Sequence, residues 1–204
     1  MIHTIITAEI ESPPHLVDVS ESDGFILKEY MHAEKRIRAY IYDMLKKARD
    51  FLPAPYHLCV YETYRTHQNQ IMEWEKLAIE MRNQHPDIDP DSEEFTAICE
   101  EFVANPYKHG SGHQTGAAID LTICMPDGTE LDMGTPLNSP EPMSRTHAEG
   151  LTPEQRQNRD LLLSVMQQAG FVNYPSEWWH FSFGDRLWAK ITGSHIAIFG
   201  KLPL

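Results

Sequence analysis

A single carboxylate set in an apolar run constrains this 204-residue chain more than any other feature. Asp120 stands between Ala117-Ala118-Ile119 and Leu121-Thr122-Ile123. The stretch from Gly116 to Ile123 predicts a strand, and strand alternation sets Ala118, Asp120 and Thr122 on one face. Ala117, Ile119, Leu121 and Ile123 take the other face and enter a core. Asp120 then looks into a cleft. Burying a carboxylate there is costly unless it is paired or bound to a metal.

Candidate partners lie on both sides of it. His113, seven residues upstream, sits in Ser111-Gly112-His113-Gln114-Thr115-Gly116. His180 closes Glu177-Trp178-Trp179-His180. Two histidines and one carboxylate are good ligands for a first-row metal. As three protein ligands they leave a tetrahedral zinc one open position for water, which distinguishes a catalytic site from a structural one. Glu177, three residues before a ligand, can take a proton from that water. A lone histidine among the eleven present is ordinarily a surface or core residue. The combination is different, because glycines flank His113 where bulky side chains would crowd a site.

In this order the two motifs, S-x-H-x-x-G-x-A-x-D over 111–120 and E-x-W-H over 177–180, resemble those of the zinc D-alanyl-D-alanine peptidases. The stretches D-L-T-I at 120–123, M-G-T-P at 133–136 and E-W-W-H-F-S-F-G-D-R at 177–186 point to the dipeptidase branch. The resemblance implies one zinc per chain held by His113, Asp120 and His180, with Glu177 as general base. It also implies that Arg65, following Tyr64 at the end of a predicted strand over 57–64, stabilises the oxyanion. A fixed guanidinium beside developing charge lowers the barrier.

Three departures touch specificity. The family usually continues Y-R-P, whereas Thr66 follows here and can cap the next helix. In the branch, an aspartate four residues after the M-G pair grips the substrate's ammonium. That offset lands on Asn138, an amide without charge, so weak discrimination between free and blocked amino termini is expected unless another acid, such as Asp132 or Glu141, takes over. A tyrosine- and asparagine-containing segment that helps bind substrate in the branch has no counterpart in residues 1–30. Ser111 borders the substrate site in the family, and its hydroxyl suits a turn hydrogen bond equally well.

The implied function is zinc-dependent hydrolysis of D-Ala-D-Ala or a related short D-peptide of cell-wall metabolism. Alternatives sharing the ligands are a zinc D-Ala-D-Ala carboxypeptidase or wall-peptide endopeptidase, and a specialised peptidase or amidase of secondary metabolism. A non-catalytic zinc-binding interaction domain is a further reading. Glu177 and Arg65 argue against it, since structure alone needs neither.

The whole chain, 1–204, reads as one α+β domain: an antiparallel sheet carrying the ligands, covered by helices. Helices are predicted over 31–52, from Ile37, Ile41, Met44, Ala48 and Phe51 at three- and four-residue steps, over 67–83 and over about 92–103. Another starts at Thr152-Pro153-Glu154-Gln155, with cap, proline and capping-box glutamine, and stops at Gly170. A long loop over 134–151 lines the cleft. Alternation over 177–183 would put Glu177 and His180 on opposite faces, so both reach one water only if the chain turns near Pro175-Ser176. Cys59, Cys99 and Cys124, without C-x-x-C spacing, read as buried thiols rather than a disulfide framework.

A formal charge of −13, from 17 basic and 30 acidic residues, argues against nucleic acid or an anionic membrane as partner. Met1-Ile2-His3-Thr4-Ile5-Ile6 lacks a basic leader start, and no run reaches the ~18 apolar residues of a membrane span. A cytoplasmic protein acting on a short peptide is expected.

Overall fold

The computed structural model describes residues 5–8, 14–30 and 33–202. Its strands are β1 (Ile6–Thr7), β2 (Leu16–Asp18), β3 (Ile26–Leu27), β4 (Arg36–Arg38), β5 (His57–Glu62), β6 (Ala118–Cys124), β7 (Val172–Asn173), β8 (His180–Ser182) and β9 (Ile196–Ala197). Its α-helices are α1 (Ala39–Phe51), α2 (His67–Gln84), α3 (Glu93–Glu100), α4 (Pro153–Gln168) and α5 (Arg186–Thr192). The class is α+β, as expected. The main sheet runs β3-β5-β6-β8-β7, and two-stranded pairs β1-β9 and β2-β4 flank it. It is antiparallel throughout except for the parallel pair β3-β5, which the sequence reading did not foresee.

The alternation in β6 holds. Ile119, Leu121 and Ile123 join one core with Leu58 and Val60 of β5 and Phe181 of β8. Ile41, Leu45 and Ala48 of α1 and Leu162, Val165 and Met166 of α4 cover that face. Each fully buried leucine, isoleucine or valine contributes about 1.5–3 kcal/mol by leaving water. Asp120 faces the other way, and loops close over that side so that all of β6 is buried.

Two expectations need correction. The helix predicted from residue 31 begins at Ala39, and residues 31–32 lie outside the described set. Ile37 instead pairs with Val17 in an antiparallel ladder, so its apolar side chain is buried from a strand. Cys59 and Cys124 are not separate thiols: they join as a disulfide between the adjacent strands β5 and β6, Cα–Cα 6.1 Å. Sequence spacing hid this because the two are 65 residues apart and meet only through strand pairing. Cys99 is free and buried, as read.

α2 is capped by Thr66, whose hydroxyl accepts from the Asn69 amide at 3.1 Å. With α3 it buries a second, smaller cluster of Leu77, Met81, Phe95 and Cys99, forming a wall beside the sheet. Phe102 is 36% exposed because α3 ends before it. Thr152, Pro153 and Gln155 start α4 with the expected capping box. Among the described residues no helix is long and apolar enough to cross a membrane.

The loop over 134–151 is held from beneath by Arg159 of α4, which is 2% exposed. Its guanidinium donates to the carbonyls of Met133 at 2.7 Å, Arg145 at 2.6 Å and Met143 at 2.9 Å. Burial pushes its pKa down to about 10, with Asp132 opposing. Arg159→Met removes all three donors and strands three carbonyls. It should lower unfolding free energy by roughly 2–4 kcal/mol in urea titrations. A loss within about 0.5 kcal/mol would show that water replaces the guanidinium freely.

Candidate metal centre

Each candidate ligand is set by its own piece of local structure. Residues Gly112–Thr115 form a 3-10 turn. Ser111 caps it: its Oγ accepts from the His113 amide at 3.2 Å, and the Gln114 side chain accepts from the Ser111 amide at 3.1 Å. Gly116 ends the turn at φ 68°, a left-handed conformation that a β-carbon disfavours. Gly112 is needed for close approach, since a β-carbon there would sit 2.2 Å from Oδ2 of Asp185. With the turn fixed, Nδ1 of His113 lies 2.7 Å from the Thr63 carbonyl. A carbonyl only accepts, so Nδ1 carries the proton and Nε2 presents its lone pair.

Asp120 and His180 arrive by strand register. Asp120 pairs with Glu62 of β5 on one side and His180 of β8 on the other. Its Oδ1 lies 3.0 Å from Nδ1 of His180 and 3.3 Å from Nε2 of His113, and those two ring nitrogens are 3.2 Å apart. All three donors lie within 4.8 Å of one another and all three residues are buried. Burial opposes ionisation of Asp120, but the two imidazoles hold its carboxyl well below the usual carboxylate range. Burial also opposes charge on His180, yet Asp120, Glu177 and Asp185 outweigh it and push that imidazole up to about 9.

Glu177 sits on the turn anticipated around Pro175-Ser176. Its amide donates to the Tyr174 carbonyl at 2.9 Å, and the His180 amide donates to the Glu177 carbonyl at 3.3 Å. The turn swings the carboxyl back to the ligand face, with Oε2 3.9 Å from Nδ1 of His180. Burial raises its pKa to about 7; Asp120 adds, while His180, His113 and Arg65 pull it back. Trp178 and Trp179 are buried beside it.

Arg65 is gripped along one edge. Its Nε donates to Oε1 of Glu62 at 2.7 Å and Nη2 to Oε2 at 2.5 Å. Nη1 donates to Gln70, whose own amide is tied to the Ala104 carbonyl at 2.7 Å. Burial opposes the Arg65 charge and Glu62 more than restores it. Of the five N–H groups of a guanidinium, one on Nη1 and one on Nη2 then remain.

A cavity of about 590 Å³ opens over these groups, and Ser111 and Asn138 line it with the three candidate ligands, Glu177 and Arg65. The cavity therefore brings together His113, Asp120, His180, Glu177, Arg65, Ser111 and Asn138. Ser111 spends its acceptor on the turn but keeps its O–H. Asn138 stands at φ 61°, a conformation asparagine tolerates better than most residues. Neither suggested substitute acid lines the cavity. Asp132 accepts from Gln155 at 2.9 Å and the Gly134 amide at 2.8 Å, and Glu141 is exposed.

The sequence reading missed four contributors. Glu62 had a signal, a carboxylate three residues before the arginine. The Thr63 carbonyl and Gln70 had none, because register and helix placement alone bring them in. Asp185 is buried, capping α5 at the Trp188 amide (2.7 Å) and accepting from Ser182 at 2.9 Å.

A sequence profile described as D-ala-D-ala dipeptidase, of the M15 peptidases, matches residues 23–198. Curated D-alanyl-D-alanine dipeptidases are similar to the chain. The match to that of Synechocystis sp. is 39% identical over 89 residues, 38% of this chain and 36% of the relative. That of Escherichia coli is 32% identical over 124 residues, 61% and 53% of the two chains, and that of Enterococcus faecium 31% over 150 residues, 70% of each. The chain thus spans about a third to a half of the first two relatives. Among solved structures, VanYB in complex with D-Alanine-D-Alanine superposes with a TM-score of 0.54 at 18% identity, covering 95% of this chain and 92% of that one. The LdcB LD-carboxypeptidase superposes with a TM-score of 0.51 at 23% identity, covering 90% and 74%. At such identities the likeness shows the fold.

The shifts at His180 and Glu177 carry a common sign. His180, raised from 6.5 to about 9, contributes stability that is full below 6.5 and lost as pH rises through 9. Glu177, raised from 4.5 to about 7, holds a proton that the unfolded chain releases, so it too loses stability as pH rises. Asp120, depressed from 3.8, acts oppositely and only at lower pH. In chelator, unfolding free energy should therefore fall between about pH 5 and 9. Urea titrations should show a shallower fall in Glu177→Gln and in His180→Gln; equal slopes in all three proteins would contradict the assignment.

Proposed function

The chain belongs to the D-Ala-D-Ala dipeptidase family of M15 peptidases, and from that premise we propose that it is a zinc peptidase hydrolysing D-Ala-D-Ala or a closely related short D-peptide of the cell wall. One observation carries the reading. Three buried donors converge within 4.8 Å, in the same cavity as a carboxyl raised to about 7 and a guanidinium with a free edge.

The donor set fits zinc. Two imidazole nitrogens 3.2 Å apart converge on one carboxylate oxygen, an arrangement that suits a cation. His113 through Nε2, His180 through Nδ1 and Asp120 through Oδ1 would hold it, one ion per chain. Zinc bound there supplies Lewis acidity, lowering the pKa of a water and polarising the scissile carbonyl.

This chain's residues do the rest. Glu177 accepts the proton of the attacking water and passes it to the leaving amine, and a pKa near 7 suits both halves of that task. Arg65, locked by Glu62 and Gln70, directs its two remaining N–H groups at the oxyanion. Because it is already positioned, no reorganisation is needed when charge develops. The Ser111 O–H and the Asn138 amide contact the substrate backbone. Trp178 and Trp179 keep water from the site. The cavity of about 590 Å³ is larger than two alanine residues fill, which favours as second reading a carboxypeptidase acting on a longer wall peptide.

Two measurements test this. Elemental analysis should find one zinc per purified chain, and none retained after dialysis in His113→Ala; full occupancy in that variant would remove His113 from the ligand set. Glu177→Gln should keep zinc and fold while kcat for D-Ala-D-Ala falls by roughly 10²–10⁴. Near-native turnover would show that another group moves the proton. A panel adding N-acylated and longer D-Ala-D-Ala peptides separates the dipeptidase from the carboxypeptidase.

A further inference from the structure

The wall of the cleft beside Arg65 holds groups that the proposed reaction has not used. A smaller hollow of about 160 Å³ lies behind it, and Tyr30, Arg65, Glu73 and Lys76 line both spaces. Glu73 and Tyr30 are half-buried. Among the described residues neither Glu73 nor the Tyr30 hydroxyl makes a hydrogen bond or ion pair. The Glu73 charge reaches both neighbours: after burial it is the largest influence raising the Tyr30 phenol to about 12, and it adds to the charge preference of Arg65.

The other cleft acids have occupations or lie in open water. Asp120 faces two imidazoles, Glu177 faces His180, and Glu100 pairs with Lys108 at 2.7 Å. Oδ2 of Asp185 is sealed from solvent without a partner, so no ligand atom reaches it. Glu80 and Glu101 are exposed. Glu73 remains.

Substrate geometry supplies the second half of the argument. In a free dipeptide the ammonium is bonded to the carbon next to the scissile carbonyl, so it lies roughly 3 Å from the oxygen that Arg65 holds. A cation that near a guanidinium is repelled unless an anion stands beside both. Asn138 offers no charge. Resting on the peptidase reading, we propose that Glu73 receives the free ammonium of a dipeptide substrate, with the Tyr30 hydroxyl as a second acceptor.

The test uses the zinc-loaded full chain on D-Ala-D-Ala and on N-acetyl-D-Ala-D-Ala, with Glu73→Gln beside the wild type. The wild type should prefer the free dipeptide. In Glu73→Gln, kcat/KM for the free dipeptide should fall about ten-fold or more, mainly through KM, while the acetylated substrate changes less than about two-fold. Calorimetric titration of D-Ala-D-Ala into Glu177→Gln, with and without Glu73→Gln, reads the same contact without turnover and should show a matching loss of affinity. Equal losses on both substrates, or unchanged selectivity and affinity, overturn the assignment. If the wild type hydrolyses neither substrate while calorimetry still shows Glu73-dependent binding, the peptidase reading fails and the ammonium contact stands. If calorimetry finds no Glu73-dependent binding, the ammonium contact falls whatever the turnover.

Discussion

The Asp120 carboxylate, buried between the imidazoles of His113 and His180, is the constraint on which the rest of this structure depends. Its oxygen lies 3.0 and 3.3 Å from their nitrogens, in the middle of a strand buried on both faces. A carboxylate so placed is tolerable only with cationic or proton-donating neighbours. The sheet supplies them by register, setting His180 directly opposite on β8. The capped turn at Ser111–Gly116 supplies the other from the residues just before β6. A slip of one residue in either pairing would send Asp120 or His180 into the apolar core.

The surrounding charges are arranged in a graded series. Asp120 is held ionised by its neighbours, Glu177 is lifted to about 7 by burial, and Arg65 is kept charged by Glu62. These are different solutions to the same low-dielectric environment. The carboxylate facing two imidazoles gains a partner for its charge. Glu177 loses more to burial than His180, His113 and Arg65 restore, and its carboxyl is left near 7. Rigid supports hold the candidate groups in place. Thr63 fixes the His113 ring, Gln70 and Glu62 fix Arg65, and Arg159 ties down the loop that bears Asn138.

Much of the site was legible because its chemistry is concentrated in short, unusual stretches. An aspartate in an apolar run, a histidine between glycines and a Glu-Trp-Trp-His segment each depart from what packing alone would select. The turn at Pro175-Ser176 was legible too, since without it Glu177 and His180 could not share a face. Helix starts at Thr66 and Thr152 were readable because caps are local hydrogen bonds. The start of α1 was not, because Ile37 fits a helical stripe and a strand ladder equally well until Val17 arrives opposite it.

The sequence by itself singled out the candidate ligands and the candidate acid–base residue, and it determined the inward face of β6 and the capped helices, which rest on alternation within one strand or on interactions between residues close in the chain. Only the tertiary structure decided the rest. It joined Cys59 to Cys124 across 65 residues, placed Glu62 opposite Asp120 so that it could hold Arg65, and carried Tyr30 and Glu73 to the same wall of the cleft. These outcomes depend on which strands pair and in what register. That choice is made by burial of the whole apolar face at once and is written in no short stretch of residues.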